Sequence, residues 1–147
     1  MGRRIRDAVT DLVLEVFRLN GELIAMGDAM VAEIGLTSAR WQVLGAIALS
    51  NTPLPIAQIA RNMGLTRQAV QRIANELETE GFVRFAPNPH HQRAKYVLLT
   101  RKGESAYANA MTRWEPQASA LAAGATIADI ESALAVLRRM RQHLAKT

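Results

Sequence analysis

The sequence predicts a mainly α-helical protein that carries one small β-hairpin. Three observations predict it: apolar residues recur at helical spacing along most of the chain, two short helical patterns follow each other across a single glycine, and two strand-like runs flank a polar turn.

From the N-terminal side, apolar residues fall at Ile5, Val9, Leu12, Val16, Leu19, Leu23, Met26 and Met30. The steps alternate between four and three, which is a heptad seam on one long helix. A second apolar line through Val13, Phe17 and Ile24 lies beside the first, so this helix needs cover from two directions. A second subunit is the natural second cover; folding back onto the monomer's own core is the alternative. Thr37-Ser38-Ala39-Arg40 opens the next helix, which points Trp41, Leu44 and Ile47 inward and ends at Ser50-Asn51-Thr52-Pro53.

A short helix then runs from Ile56 to Met63 with Ile56, Ile59, Ala60 and Met63 on one face, and Gly64 stops it. After the turn residue Leu65, Thr66 caps a second helix by accepting a backbone N–H bond. Val70, Ile73 and Leu77 repeat along one side of it down to a stop at Gly81. The other side carries Arg67, Gln68, Gln71, Arg72 and Asn75. Arg can fork onto guanine, Gln and Asn can pair with adenine, and any of them can bind phosphate instead. These residue types select a nucleic-acid partner and leave open which of them touches a base.

Phe82-Val83-Arg84-Phe85-Ala86-Pro87 reads as a strand and Ala94-Lys95-Tyr96-Val97-Leu98-Leu99 as its partner, joined by the polar Asn88-Pro89-His90-His91-Gln92-Arg93. Arg93, at the base of this hairpin tip, can lay its guanidinium into the minor groove, and His91 and Lys95 share the hairpin with it. Two short helices followed by such a hairpin make a winged helix-turn-helix, a device for reading double-stranded DNA.

Thr100 begins a helix through Tyr107, Met111 and Trp114, with an interruption expected near Pro116 and a flexible break in the Gly-Ala stretch up to Gly124. Thr126, with Asp129 three residues on, caps a last helix in which Ile127, Ile130, Leu134, Leu137 and Leu144 keep heptad register, with Met140 alongside.

The chain resembles the MarR family of bacterial transcriptional regulators over most of its length. The resemblance is carried by Ile59-Ala60 before Gly64-Leu65-Thr66, by Val70-Gln71-Arg72-Ile73, by Leu77-Glu78-Thr79-Glu80-Gly81-Phe82-Val83, by Asn88-Pro89 through Arg93-Ala94, and by Leu99-Thr100-Arg101-Lys102-Gly103. A helix-turn-helix alone is a weak signal; the wing and the Leu-Thr-x-x-Gly ending make it more specific. The resemblance implies a homodimer, formed by the terminal helices, that binds a pseudo-palindromic site near a promoter and often releases it when a small molecule binds. On that reading residues 1–147 form one domain, with 33–100 as the winged helix-turn-helix and 1–32 and 101–147 as dimerisation helices. One position departs from the family: its wings usually carry an Asp two residues before the wing Arg, whereas this chain has His91 there and Gln92 next. The acidic partner of Arg93 is thus absent at that position.

Composition sets the outer bounds. With 147 residues, 49% hydrophobic and 21% charged, the chain is long and apolar enough for a packed core. A formal net charge of +5 favours a polyanionic partner, although charge alone suits RNA or an anionic membrane equally. No run of eighteen or more apolar residues occurs, and Met1-Gly2-Arg3-Arg4-Ile5-Arg6-Asp7 lacks the apolar stretch of a signal peptide, so the expected location is the cytoplasm, with no membrane partner. With no cysteine there is no disulfide, thiolate zinc site or thiol-based sensing within the chain.

Chemistry beyond binding finds no support. His90 and His91 are adjacent and His143 is distant, without the spacing that converges on a metal, so no metal or other cofactor is expected. No nucleophile elbow, phosphate loop or dinucleotide fingerprint is present, and the chain reads as a non-enzyme. The runs Arg3-Arg4-Ile5-Arg6 and Arg138-Arg139-Met140-Arg141 either track phosphates at the flanks of a site or are solvated helix faces, and the second reading is preferred because terminal helices usually lie away from the groove. A ligand crevice follows from the family resemblance: Arg18, Met26, Met30, Trp41, Tyr107 and Met111 are its candidate lining, suited to an aromatic or lipophilic organic acid. The expected function is therefore a ligand-responsive repressor that reads an operator as a homodimer. The alternative is a winged-helix architectural or protein-interaction module without operator specificity.

Overall fold

The first helix, α1 (Ile5–Val31), spans 27 residues, and its seam residues Val9, Leu12, Val16 and Leu19 stand exposed along it. Residues 2–146 are described by this computed structural model; Met1 and Thr147, the two ends of the expected domain, lie outside them. A 3-10 turn at Ala32–Ile34 leads into α2 (Ser38–Ala48), where the Thr37 hydroxyl accepts from the Arg40 N–H at 3.2 Å. The buried Ser38 ties the two helices, because its hydroxyl donates to the Ile24 carbonyl at 2.7 Å and its N–H donates to Asp28 Oδ1 at 2.7 Å. Opposite it sits Gly27, where a Cβ would fall 2.2 Å from Ser38 Oγ, so α1 and α2 meet where one of them has no side chain.

β1 (Leu54–Pro55), α3 (Ile56–Met63) and α4 (Arg67–Thr79) follow. Both ends of the α3–α4 turn are as the sequence predicts: Gly64 takes φ +67 and closes α3, and Thr66 Oγ1 accepts from the Ala69 N–H at 3.1 Å to open α4. At the far end of α4 the Gly81 N–H bonds to Glu78 O at 3.0 Å and the Phe82 N–H to Leu77 O at 2.8 Å, the paired bonds of a Schellman stop. That second bond shortens the expected strand: Phe82 belongs to the helix stop, and β2 is Val83–Ala86. β3 is likewise shorter, Tyr96–Leu99, because the Ala94 N–H is held by His91 O within the wing turn. The sheet is three-stranded in the order β1-β3-β2, all antiparallel, with Leu54 opposite Val97 and Phe85 opposite Val97 from the other side.

α5 (Arg101–Ala122) starts from Thr100, whose hydroxyl accepts from the Gly103 N–H at 3.1 Å and donates to Gly81 O at 2.6 Å. The interruption expected at Pro116 does not occur, and α5 continues through it. Proline removes one donor, that of the Thr112 carbonyl, but both residues face solvent, where water satisfies the carbonyl, and the alanine-rich segment beyond favours helix. The helix ends instead at Ala123 and Gly124, both at positive φ. α6 (Ile127–Leu144) opens with a full capping box: Thr126 Oγ1 accepts from the Asp129 N–H and Asp129 Oδ2 accepts from the Thr126 N–H, each at 3.1 Å.

The chain divides into two compact units, Met1–Arg113 and Trp114–Thr147. The first holds the core, in which Val31, Val43, Leu44, Ile59, Val70, Leu77, Val83 and Val97 are fully buried. In the second, α6 buries none of its residues and leaves Ile127, Ile130, Leu134 and Leu144 exposed. No single helix among the described residues is long and apolar enough to cross a membrane.

Candidate nucleic-acid interface

α4 is amphipathic: it buries Val70, Ile73, Ala74 and Leu77 and turns Arg67, Gln68, Gln71, Arg72 and Asn75 to solvent. The residue spacing that packs the inner face therefore also aligns the outer one. These five outward residues line a concave groove together with Glu76 and Glu78 of the same helix, Arg93 and Lys95 from the wing, and Pro55, Ile56 and Ala57 where β1 runs into α3. Residues separated by more than twenty positions in the sequence thus share one electropositive groove. Thr66, by contrast, has its hydroxyl oxygen occupied as the α4 cap, and His91, exposed in the wing, is not among the groove's lining residues.

Within the groove the polar side chains are partly paired with one another. Gln71 Nε2 donates to Asn75 Oδ1 at 2.8 Å, and Arg72 Nη1 donates to Glu76 Oε1 at 3.2 Å. Arg67, Gln68, Arg93 and Lys95 make no hydrogen bond or ion pair among the described residues, so their donors are open to a ligand.

The wing is organised by a residue that sequence reasoning counted only as a turn former. Asn88 is buried; its Nδ2 donates to the Ala94 carbonyl at 2.9 Å while its Oδ1 accepts from the His90 N–H at 3.0 Å. The backbone adds His91 N–H to Asn88 O at 3.2 Å. The turn that carries Arg93 is therefore pinned from Asn88. Asn88 is visible in the sequence, but its bond to Ala94 exists only once the hairpin closes.

A second feature absent from the sequence reading is an ion-pair chain behind α4. Arg40 of α2, only 19% exposed, pairs with Glu80 and places Nη2 3.4 Å from Glu76 Oε2; its Nη1 also reaches Gly35 O at 3.4 Å. These partners lie far apart in the sequence and carry no local signal.

The six crevice candidates separate into two groups. Trp41, Tyr107 and Met111 come together in an apolar-walled crevice of about 490 Å³, with Met63 at the end of α3 and Leu49 at the end of α2. Arg18, Met26 and Met30 do not line it: Arg18 is exposed and paired with Glu15 at 3.6 Å, and Met30 packs against the core. No group of three or more metal-capable side chains occurs among the described residues.

A helix-turn-helix whose exposed polar helix shares one groove with the cations of a β wing defines a winged-helix nucleic-acid-binding protein. Residues 34–94 match the MarR family, whose members are transcription regulators and not enzymes. An uncharacterised protein of Mycobacterium tuberculosis is 40% identical over 97 residues, 66% of this chain and 66% of that protein, so the match spans just under two thirds of that relative's length. The transcriptional activatory protein BadR of Rhodopseudomonas palustris is 26% identical over 94 residues, 63% of this chain and 54% of BadR. Among solved structures, CouR of Rhodococcus jostii bound to p-coumaroyl-CoA is similar with a TM-score of 0.80 at 19% identity, covering 89% of this chain and 92% of CouR. The M. tuberculosis regulator MosR in complex with DNA is similar with a TM-score of 0.75 at 22% identity, covering 90% and 96%. These two likenesses concern the fold.

Proposed function

We propose that this protein is a homodimeric regulator that binds a pseudo-palindromic operator, α4 of each subunit entering a major groove and the wing Arg93 lying along the adjacent minor groove. The observation that carries this reading is the shared groove of Arg67, Gln68, Gln71, Arg72 and Asn75 with Arg93 and Lys95. Half-site centres then lie about 10 base pairs apart, one turn of the duplex. That the similarly folded MosR forms a complex with DNA supports DNA as the partner.

The regulator acts as a repressor, covering promoter DNA, and a small aromatic or lipophilic organic acid in the crevice beside Trp41, Met63, Tyr107 and Met111 releases it. That the similarly folded CouR holds an aromatic acyl thioester supports such a ligand class. Because BadR is described as an activator, a promoter-reporter assay with and without the protein decides the sign of regulation.

The binding test is a competition assay on the DNA upstream of the protein's own coding sequence, against excess unrelated duplex at two salt concentrations. A complex that resists the unrelated duplex, and that Arg93→Ala weakens by about 1–3 kcal/mol, is the expected result. Equal competition by any duplex would instead identify an architectural binder.

A further inference from the structure

Two groove residues, Glu76 and Glu78, carry the wrong sign, and of the two Glu76 is held in ion pairs. A carboxylate on a surface that takes a polyanion opposes binding unless its charge is neutralised in place. At Glu76 it is neutralised twice: Oε1 accepts from Arg72 Nη1 at 3.2 Å and Oε2 faces Arg40 Nη2 at 3.4 Å. Helix stability accounts for the Arg72–Glu76 pair only weakly. In a helix the favourable order places the acid four residues before the base, whereas here the base comes first. Arg72 is 68% exposed, but its partner differs from that of an ordinary solvated pair in not being free to swing away. Glu76 is held from behind by Arg40, and Arg40 is itself fixed by Glu80 and by Gly35 O at 3.4 Å.

We propose that Glu76, anchored by Arg40, is a positioning residue that sets the direction of the Arg72 guanidinium and thereby fixes which base pair the reading helix recognises. An exposed arginine left alone samples many rotamers and binds a phosphate as readily as a base edge. With one Nη engaged by Glu76, the guanidinium plane is oriented, and its remaining donors present one fork. Only a fork held in one orientation matches the paired N7 and O6 acceptors of guanine. The Arg40–Glu76–Arg72 chain therefore links the supporting helix α2 to base discrimination on α4. This inference rests on the operator-binding reading and adds a specificity determinant that does not itself need to touch DNA.

The test uses the full chain and a set of duplexes in which the operator is changed one base pair at a time. Glu76→Gln, Arg72→Ala and the double variant are compared with the wild type, with thermal melts confirming that each is folded. Glu76→Gln is expected to lower discrimination at the base pair that Arg72→Ala also relaxes, by roughly tenfold, while binding to unrelated duplex is equal or tighter because a negative charge has gone. In the Arg72→Ala background the same change is expected to have no further effect on discrimination. Full discrimination by Glu76→Gln, or an equal loss in the absence of Arg72, overturns the positioning role while leaving the operator reading intact. A wild type that shows no preference among the duplexes overturns both.

Discussion

A Cβ placed on Gly103 falls 2.0 Å from the carbonyl oxygen of Phe82. The first turn of α5 therefore lies directly against the backbone that leaves α4 for the wing, and Thr100 closes the same junction through Gly81 O at 2.6 Å. The Leu-Thr-x-x-Gly ending is the sequence trace of this contact. Alanine at an open helical site stabilises by about 1 kcal/mol relative to glycine. At Gly103 the clash is with backbone, which cannot swing aside, so Gly103→Ala is expected to destabilise the protein by about 1–3 kcal/mol. Gly21→Ala in α1, where nothing lies within 4 Å, is expected to stabilise it. Urea unfolding of the two variants gives the two signs directly.

The wing's order depends on Asn88 rather than on an acid beside Arg93. Asn88→Ala leaves the Ala94 carbonyl and the His90 N–H without their partner, at a cost of about 1–3 kcal/mol to the closed turn. The expected outcome is faster amide hydrogen exchange confined to the wing, together with weaker DNA binding. Arg93→Ala, in contrast, should weaken DNA binding without altering wing exchange, since Arg93 makes no bond that holds the turn. Unchanged exchange in Asn88→Ala would mean that the strands alone hold the wing.

The reading head is legible in the sequence where the signals are local. Gly64 and Thr66 delimit α3 and α4 because a left-handed stop and a hydroxyl cap each act within three residues. The alternation of Val70, Ile73 and Leu77 with the polar face gives the groove wall for the same reason. The remainder depends on distant partners. β1 is two residues long, too short for any periodicity, and exists only because β3 offers it bonds at Val97 and Tyr96. Arg40 reads locally as part of a helix opening, and its role appears only when α2 packs beside α4. Pro116 misleads because proline disfavours a helix interior without forbidding it: α5 runs on through it, and the carbonyl left without its helical donor belongs to the exposed Thr112. The crevice divides its candidates for a similar reason: heptad position places Met26 and Met30 on α1 but does not say which neighbour that face meets.

The capping box of α6 predicts a pH dependence. The backbone N–H of Thr126, and secondarily its side chain, hold the Asp129 carboxyl below its ordinary value of 3.8. A depressed folded-state value means that the carboxylate's contribution is present above the unfolded-state value and is lost as pH falls through the folded one. Asp129→Ala should therefore melt below the wild type at neutral pH, with a gap that closes as the pH is lowered past about 4. Thermal melts of both proteins from neutral to acid pH measure that gap. A gap that persists unchanged in acid would assign the cap to the side chain's shape and not to its charge.

In the proposed homodimer, the exposed seam of α1 is where the subunits are expected to meet. Leu12, Val16 and Leu19 are 37%, 37% and 44% exposed, and Phe17 beside them is 69% exposed. Contiguous apolar surface of this kind marks an interface, and heptad spacing selects another helix as its cover. Leu19→Glu puts a charge into that seam without touching the core, which lies on other residues. The variant is expected to keep its helical circular dichroism, to sediment as a monomer where the wild type sediments as a dimer, and to lose most operator affinity. The loss follows from geometry: two linked reading heads meet their half-sites at a high effective concentration, and a single head does not. Retained binding by a monomeric Leu19→Glu would show that one head suffices, whereas a variant that remains a dimer would move the interface away from α1.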